Sequence, residues 1–255
     1  MRVRATTATS VVAATVAGAL AFSVFAAPAA QAAKDNLSIT DVVANGGRAI
    51  VVGTTAKKSF TITSAVTEDS GIKEADLGIV HEEPSINHYW KPATCTSVGK
   101  PRYVCKATLT IDPRAEWFRN AQAGPWKVHA QAFGKDGDLY GDYYATVPVK
   151  RAARLTVDAA PEPVKKGETL TITGKLTRAD WNTNKYVNYA SQSVRLEFRE
   201  KGDNGYATVK TVKSNGSGAL KTTVKAASDG YWRWSFTGTS TTAAIAATGD
   251  YVDVR

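Results

Sequence analysis

Five carboxylates fall in two short segments of this sequence. Glu68 and Asp69 lie in Glu-Asp-Ser-Gly71, and Asp136, Asp138 and Asp142 lie in the run from Lys135 to Asp142. Carboxylates gathered on two loops can supply the oxygen ligands that a hard cation such as Ca²⁺ takes. The same residues are also ordinary turn formers, because Asp-Gly suits a tight hairpin turn. No twelve-residue EF-hand loop is present, so a calcium site here has to be assembled from separate loops. Calcium is the one candidate cofactor.

A second group is aromatic. Trp181, Tyr186 and Tyr189 are interleaved with Asn182, Asn184 and Asn188, and Tyr89 and Trp90 come directly after His88. Rings and amides together can hold a carbohydrate, the rings against sugar faces and the amides on hydroxyls. The competing reading is packing between domains, since aromatic side chains dominate interface energetics.

Catalytic chemistry has little to work with. The three histidines, His81, His88 and His129, show no His-x-x-x-His zinc spacing, and no Gly-x-Ser-x-Gly turn occurs. Glu82 and Glu83 are adjacent, which on a strand turns them to opposite faces. The expectation is a protein that is not an enzyme. Cys95 and Cys105 flank the turn signal Gly99-Lys100-Pro101, so they are expected to form a disulfide across a hairpin. Two thiols without a His or Cys cluster make a poor metal site.

These groups must be positioned by short strands. Segments rich in Val, Ile, Thr and aromatics recur between Gly, Pro, Asn and Asp turns, which reads as an all-β sandwich architecture. In the first half strands are expected over 37–42, 49–52, 59–66, 75–81, 104–111, 126–133 and 143–149. In the second they are expected over 154–158, 169–177, 193–199, 208–212, 219–224, 231–237 and 250–254. Only 112–123 looks helical, with Pro113 at a helix start and Gly124 as its stop. Trp232, Trp234 and Phe236 alternate with Tyr231, Arg233 and Ser235, so the first three should face a core. By the same alternation His129 falls on the face opposite Trp126 and Val128 and is expected to be exposed.

Arg2 and Arg4 precede an apolar run that ends in Ala30-Gln31-Ala32, the pattern of a secretory signal peptide over residues 1–32. The alternative is a retained anchor of marginal length. Cleavage after Ala32 gives a secreted, extracellular chain with no membrane span in the mature form. The mature chain is long enough for two domains, expected at 33–149 and 154–255 with a short linker at 150–153. It carries 30 Lys and Arg against 23 Asp and Glu. Such a diffuse positive balance suits an extracellular or cell-wall partner with an anionic surface, or a polysaccharide, and it also serves simple solubility. No basic cluster interleaved with aromatics points to nucleic acid.

Two pairs of segments match in order. Phe60 to Thr67 aligns with Leu170 to Thr177, and Gly124 to Ala130 aligns with Gly230 to Phe236, which suggests an internal repeat. The segment Gly230 to Gly238, the run Ala160-Pro-Glu-Pro-Val-Lys-Lys-Gly167 and the ending Gly249-Asp-Tyr-Val-Asp-Val254 resemble bacterial immunoglobulin-like domains, and more closely a group of secreted two-domain bacterial proteins. The resemblance covers the second half well and the first half through the repeat. It implies two tandem immunoglobulin-like β-sandwich domains, and calcium binding in some members. Asp229-Gly230-Tyr231 is similar to a tyrosine corner, with the Tyr one residue early. Antibody domains have an inter-sheet disulfide, whereas the second half has no cysteine and the first has only the hairpin pair, so aromatic packing is expected in its place. Under that topology Glu68–Gly71 and Lys135–Asp142 share the free tip of the first domain. Trp117 and Phe118 meet the loop Ala179–Ser191 at the junction.

Overall fold

A computed structural model describes residues 36–81 and 87–255, with backbone alone for Asn87 and His88. The signal-peptide segment and the Glu82-Glu83 pair lie outside the described residues.

The described chain is almost entirely strand and turn. The first half supplies β1 (Ser38–Ala44), β2 (Ile50–Val52), β3 (Lys58–Thr67), β4 (Ile72–His81), β5 (Asn87–Pro92), β6 (Thr94–Ser97), β7 (Arg102–Ile111), β8 (Gly124–Gly134) and β9 (Leu139–Arg151). They form two sheets, ordered β1-β3-β7-β6 and β2-β9-β8-β4-β5. Strict alternation creates the layer between them. Phe60, Ile62 and Val66 of β3 and Tyr103, Cys105, Ala107, Leu109 and Ile111 of β7 point inward, toward Leu77 and Ile79 of β4 and Trp126, Val128 and Ala130 of β8.

The second half supplies β10 (Ala153–Leu155), β11 (Asp158–Ala160), β12 (Thr169–Asp180), β13 (Lys185–Asn188), β14 (Ser193–Glu200), β15 (Ala207–Lys213), β16 (Ala219–Lys225), β17 (Gly230–Phe236), β18 (Ile245–Ala246) and β19 (Asp250–Val252). One sheet is built on β12, which pairs β10, β11, β13 and β16, and the other runs β15-β14-β17 with β18 and β19 both on the far side of β17. Trp232, Trp234 and Phe236 all face this second core, as their alternation requires, and Trp234 is fully buried. Its indole Nε1 donates to the Thr173 carbonyl at 2.9 Å, so the ring brings its own polar atom a partner.

Several expectations are corrected. Residues 112–123 form no α-helix; a run of turns ends in one 3₁₀ turn, Asn120–Gln122. Gln122 holds that turn, accepting a hydrogen bond from the Arg119 N–H through its side chain and donating to the Trp117 carbonyl at 2.8 Å. Within the short 150–153 connection β9 continues through Arg151 and β10 starts at Ala153. The 179–191 segment is not a loop: β12 extends to Asp180, turns, and returns as β13. Tyr231 makes no tyrosine corner; its ring lies on the outer face against Tyr251 at 5.1 Å.

Candidate functional site

At the tip of the first sandwich, the turn from β3 to β4 meets the hairpin between β8 and β9. Glu68, Asp69 and Asp136 each bring one carboxylate oxygen to within 4.8 Å of the other two, a separation that ligands around one calcium ion would have. Glu68 is fully buried, and its two oxygens differ. Oε1 accepts the Ser70 N–H at 2.8 Å, while Oε2 is buried without a hydrogen-bond partner. A buried carboxylate oxygen left unpaired is costly, so this group is where a cation has most to gain.

The backbone around the cluster is fixed. Ser70 Oγ accepts the N–H groups of Lys135 at 3.0 Å and Asp136 at 3.3 Å, which ties one turn to the other. The hairpin is closed by Gly134 N–H donating to Asp138 O at 2.8 Å. Gly134 permits the convergence: a Cβ there would lie 2.6 Å from Asp136 Oδ1 and 3.0 Å from Glu68 Oε2. Any side chain at that position would occupy the space between the two carboxylates.

Of the five carboxylates read from the sequence, three therefore meet. Asp138 stands beside them, its Oδ2 also buried without a partner. Asp142 does not join; it sits on β9 opposite Ala130, with Oδ1 accepting the Tyr143 N–H at 2.6 Å. Next to it burial, helped by Tyr140 and Asp142, pushes the Tyr144 hydroxyl up to about 12.

The aromatic group divides differently. Trp181 is 0% exposed and belongs to the core of the first sandwich although it comes from the second. Its ring centroid is 4.4 Å from that of Phe118, and its Nε1 donates to Gly53 O at 3.0 Å and Val52 O at 3.3 Å. This burial removes Trp181 from any sugar platform. Tyr189 is buried under the Arg178 guanidinium at 4.0 Å, and Tyr186 is covered by Arg154 at 3.7 Å. Trp181 and Tyr186 therefore serve the junction, whereas Tyr189 belongs to the core of the second sandwich.

The turn that presents Trp181 is built by Asp180, whose Oδ1 accepts the N–H groups of Asn182 at 2.9 Å and Thr183 at 3.0 Å. Burial pushes the Asp180 carboxyl up, but these bonds and one from Asn120 outweigh it and hold its pKa below the usual value. Asn120 and Asn182 then clasp the two sandwiches: Asn120 N–H donates to Asn182 Oδ1, and Trp181 N–H donates to Asn120 Oδ1, both at 2.9 Å. Arg151 completes the contact, with Nε on Ala179 O, its N–H on Thr241 O and its carbonyl accepting from Ala243 N–H. Burial and the nearby Arg178 charge pull its pKa down to about 10.

Tyr89 and Trp90 lie apart from the junction turn, on β5. Tyr89 faces inward against Trp126 at 5.8 Å and Trp117 at 5.1 Å, and burial raises its hydroxyl pKa strongly. Trp90 faces outward and meets His129 at 4.1 Å, with Tyr143 on the far side of His129 at 5.1 Å. His129 is on the outer face as expected but is only 9% exposed, because those two rings flank it. His81 packs against Trp126 at 5.1 Å.

Cys95 and Cys105 are directly paired across β6 and β7 and form a disulfide, with Cα atoms 3.9 Å apart.

No protein-family model matches the chain, and no curated protein does. Among solved structures, the chain is similar to fibronectin(III)-like modules of Clostridium thermocellum CbhA, at 16% identity and a TM-score of 0.36 over 84% of this chain and 93% of that one. It is also similar to the D00-D0 domain of intimin, at 15% identity and a TM-score of 0.29 over 85% and 98% of the two chains. A third is the Yersinia pseudotuberculosis adhesin InvE, at 14% identity and a TM-score of 0.28 over 86% and 61%. No described helix is long and apolar enough to cross a membrane.

Proposed function

We propose that the chain is an extracellular, non-catalytic binding and structural module, in which two sandwiches act as one stiff body. The observation that carries this reading is Trp181. A ring donated by the second sandwich completes the core of the first and hydrogen-bonds its backbone, so bending at the junction would open a buried core. A stiff body of this kind holds its free tip at a fixed distance and orientation from its other end. The disulfide fits an oxidising, extracellular setting. Two of the histidines, His81 and His129, are packed among rings and not displayed in a cleft.

The test is retention of the mature chain on isolated cell walls and on material captured from culture medium. Saturable retention, competed by unlabelled chain, is expected. Release of soluble wall fragments by the chain would contradict a non-catalytic role.

A second reading belongs to the tip, where the buried, unpartnered oxygen of Glu68 favours a calcium ion held by Glu68, Asp69 and Asp136. The ion would join the two turns and supply the partner that Glu68 Oε2 lacks. Titration calorimetry should give heat for one calcium per chain at millimolar concentration or below. No heat, together with an unchanged melting temperature, would remove this reading.

A further inference from the structure

Arg151 ends β9 and is held by the chain on both sides. It pairs in parallel with Val52 of β2 and, on its other side, with Thr242 of the loop after β17, so the Arg151 and Thr242 side chains stand next to each other on one face. Arg151 is 6% exposed and Thr242 is 0% exposed. The Arg151 guanidinium reaches Ala179 O through Nε, which brings it to the residue after Arg178. Arg178 in turn lies over the Tyr189 ring.

This group has more donors than acceptors. Beyond Nε, the Arg151 guanidinium makes no hydrogen bond among the described residues, and the Arg178 guanidinium makes none. Arg178 Nε and Thr242 Oγ1 are both closed off from solvent without a partner. Neither arginine makes an ion pair among the described residues, whereas Arg195 and Arg233 in the second sandwich both pair with the buried Glu197. Asp180 stands at this end of β12, but its Oδ1 is committed to the Asn182 and Thr183 N–H groups. Its attraction for Arg151 is weaker than the repulsion from Arg178. The other cations nearby are provided for: Lys150 Nζ donates to Thr239 O at 2.7 Å, and Lys185, opposite Asp180 on β13, is exposed to water.

We infer that Arg151, Arg178 and Thr242 hold a small monovalent anion of the halide kind at the junction. Two positive charges brought together under cover, with a buried hydroxyl and no carboxylate in contact among the described residues, are costly unless a counter-charge enters. A water molecule would satisfy the hydroxyl and leave the charge uncompensated. Enclosure sets the size: Arg178 Nε and Thr242 Oγ1 have no open surface, so a group bonded to them is enclosed too, which rules out a polymer. The sum of charges sets the valence, because two guanidinium groups and the Asp180 carboxylate leave one positive charge. The donors set the shape. Arg151 has used Nε on Ala179 O, so its side-on fork for a carboxylate is spent, while a spherical ion accepts separate N–H and O–H donors from any direction. Such an ion ties the end of β9 to β12 and to the loop after β17. Its binding is read independently of whether the two sandwiches unfold together.

The test is chlorine NMR on the full chain, exchanged into sodium gluconate and titrated with sodium chloride at constant ionic strength. Excess line broadening that bromide displaces is expected, and chloride should raise the melting temperature where gluconate and sulfate at the same ionic strength do not. Arg178→Leu should weaken chloride binding by about tenfold or more, and Thr242→Val, which keeps the shape and removes the donor, by about threefold to tenfold. Arg48→Leu, at an exposed arginine of the first sandwich, should leave both readouts unchanged. If Arg178→Leu fails to fold, as its melting curve would show, Thr242→Val carries the test. The inference is overturned by absence of excess broadening at physiological chloride, which would assign the donors to water alone. It is equally overturned by wild-type binding in Arg178→Leu or Thr242→Val, or by equal stabilisation from sulfate, which would mean general screening.

Discussion

Trp181 lies with its ring centroid 4.4 Å from that of Phe118, two residues from different sandwiches sharing one core. The contact is made by the far end of β12, which stays paired with β13 up to Asp180. That end carries Ala179 and Trp181 into the first sandwich, and the Asp180 turn with the Asn120–Asn182 clasp fixes the ring's entry.

Trp181→Ala should therefore destabilise the first sandwich rather than the one that contributes the residue. Emptying a fully buried Trp site costs about 3–5 kcal/mol. Urea unfolding followed by a first-sandwich probe, such as the environment of Trp126, should show the loss. An unchanged midpoint would mean that the ring does not support that core.

Within the second sandwich, Trp232→Ala should cost a similar ~3–5 kcal/mol, since Trp232 is 6% exposed and stacks on Phe198 at 4.5 Å. Gly174→Ala tests the same core from the opposite side. The added methyl would lie 2.4 Å from Thr156 O and 2.6 Å from Trp234 Cδ1, so a loss of about 1–3 kcal/mol is expected in denaturant melts.

The expectations that survived share one cause, and so do those that did not. Alternation along β3, β7, β12 and β17 is a local signal, and each strand carries enough apolar residues to reveal it. The strands β5, β6 and β13 are short, polar or next to proline, and their pairing comes from neighbours distant in sequence. His129 shows the same limit: its face is set by period two, but its burial depends on Trp90 and Tyr143 from two other strands. Residues 112–123 have helix-like ends, yet Phe118 is drawn into a tertiary contact with Trp181 and the Gln122 side chain closes a local turn on Arg119 and Trp117. At the tip, residue types identified Glu68, Asp69 and Asp136, but only the folded turns separate Asp142 from them. Nothing in the sequence marks Glu68 as the buried member.

Acid should loosen the junction turn. The Asp180 pKa is depressed on folding, so its contribution is present above the unfolded value near 3.8 and is lost as pH falls through the lower folded value. Asp229 acts in the same direction through its bond from the Val254 N–H at 2.9 Å. Melting temperature should thus decline below about pH 4, and D180N, which keeps an acceptor but not the charge, should flatten that decline. A variant that tracks wild type at every pH would remove Asp180 as a contributor.

Glu68→Gln should behave differently with and without calcium. In chelator the variant should melt no lower than wild type, because it replaces a buried carboxylate oxygen that has no partner. With millimolar calcium, wild type should rise above the variant, since a ligand bound only to the folded state adds stability by mass action. Equal calcium responses in both proteins would show that Glu68 is not a ligand.

Reducing the Cys95–Cys105 disulfide should cost about 2–3 kcal/mol under the chain-entropy account of so short a loop. Denaturant midpoints with and without reductant measure it, and identical midpoints would assign the bridge no stabilising role.

The central claim is that the two sandwiches form one body through Trp181, and differential scanning calorimetry of the wild-type chain tests it most directly. A single transition is expected, with calorimetric and van't Hoff enthalpies equal. Trp181→Ala should split it into two. Two separate transitions in the wild type would contradict the claim.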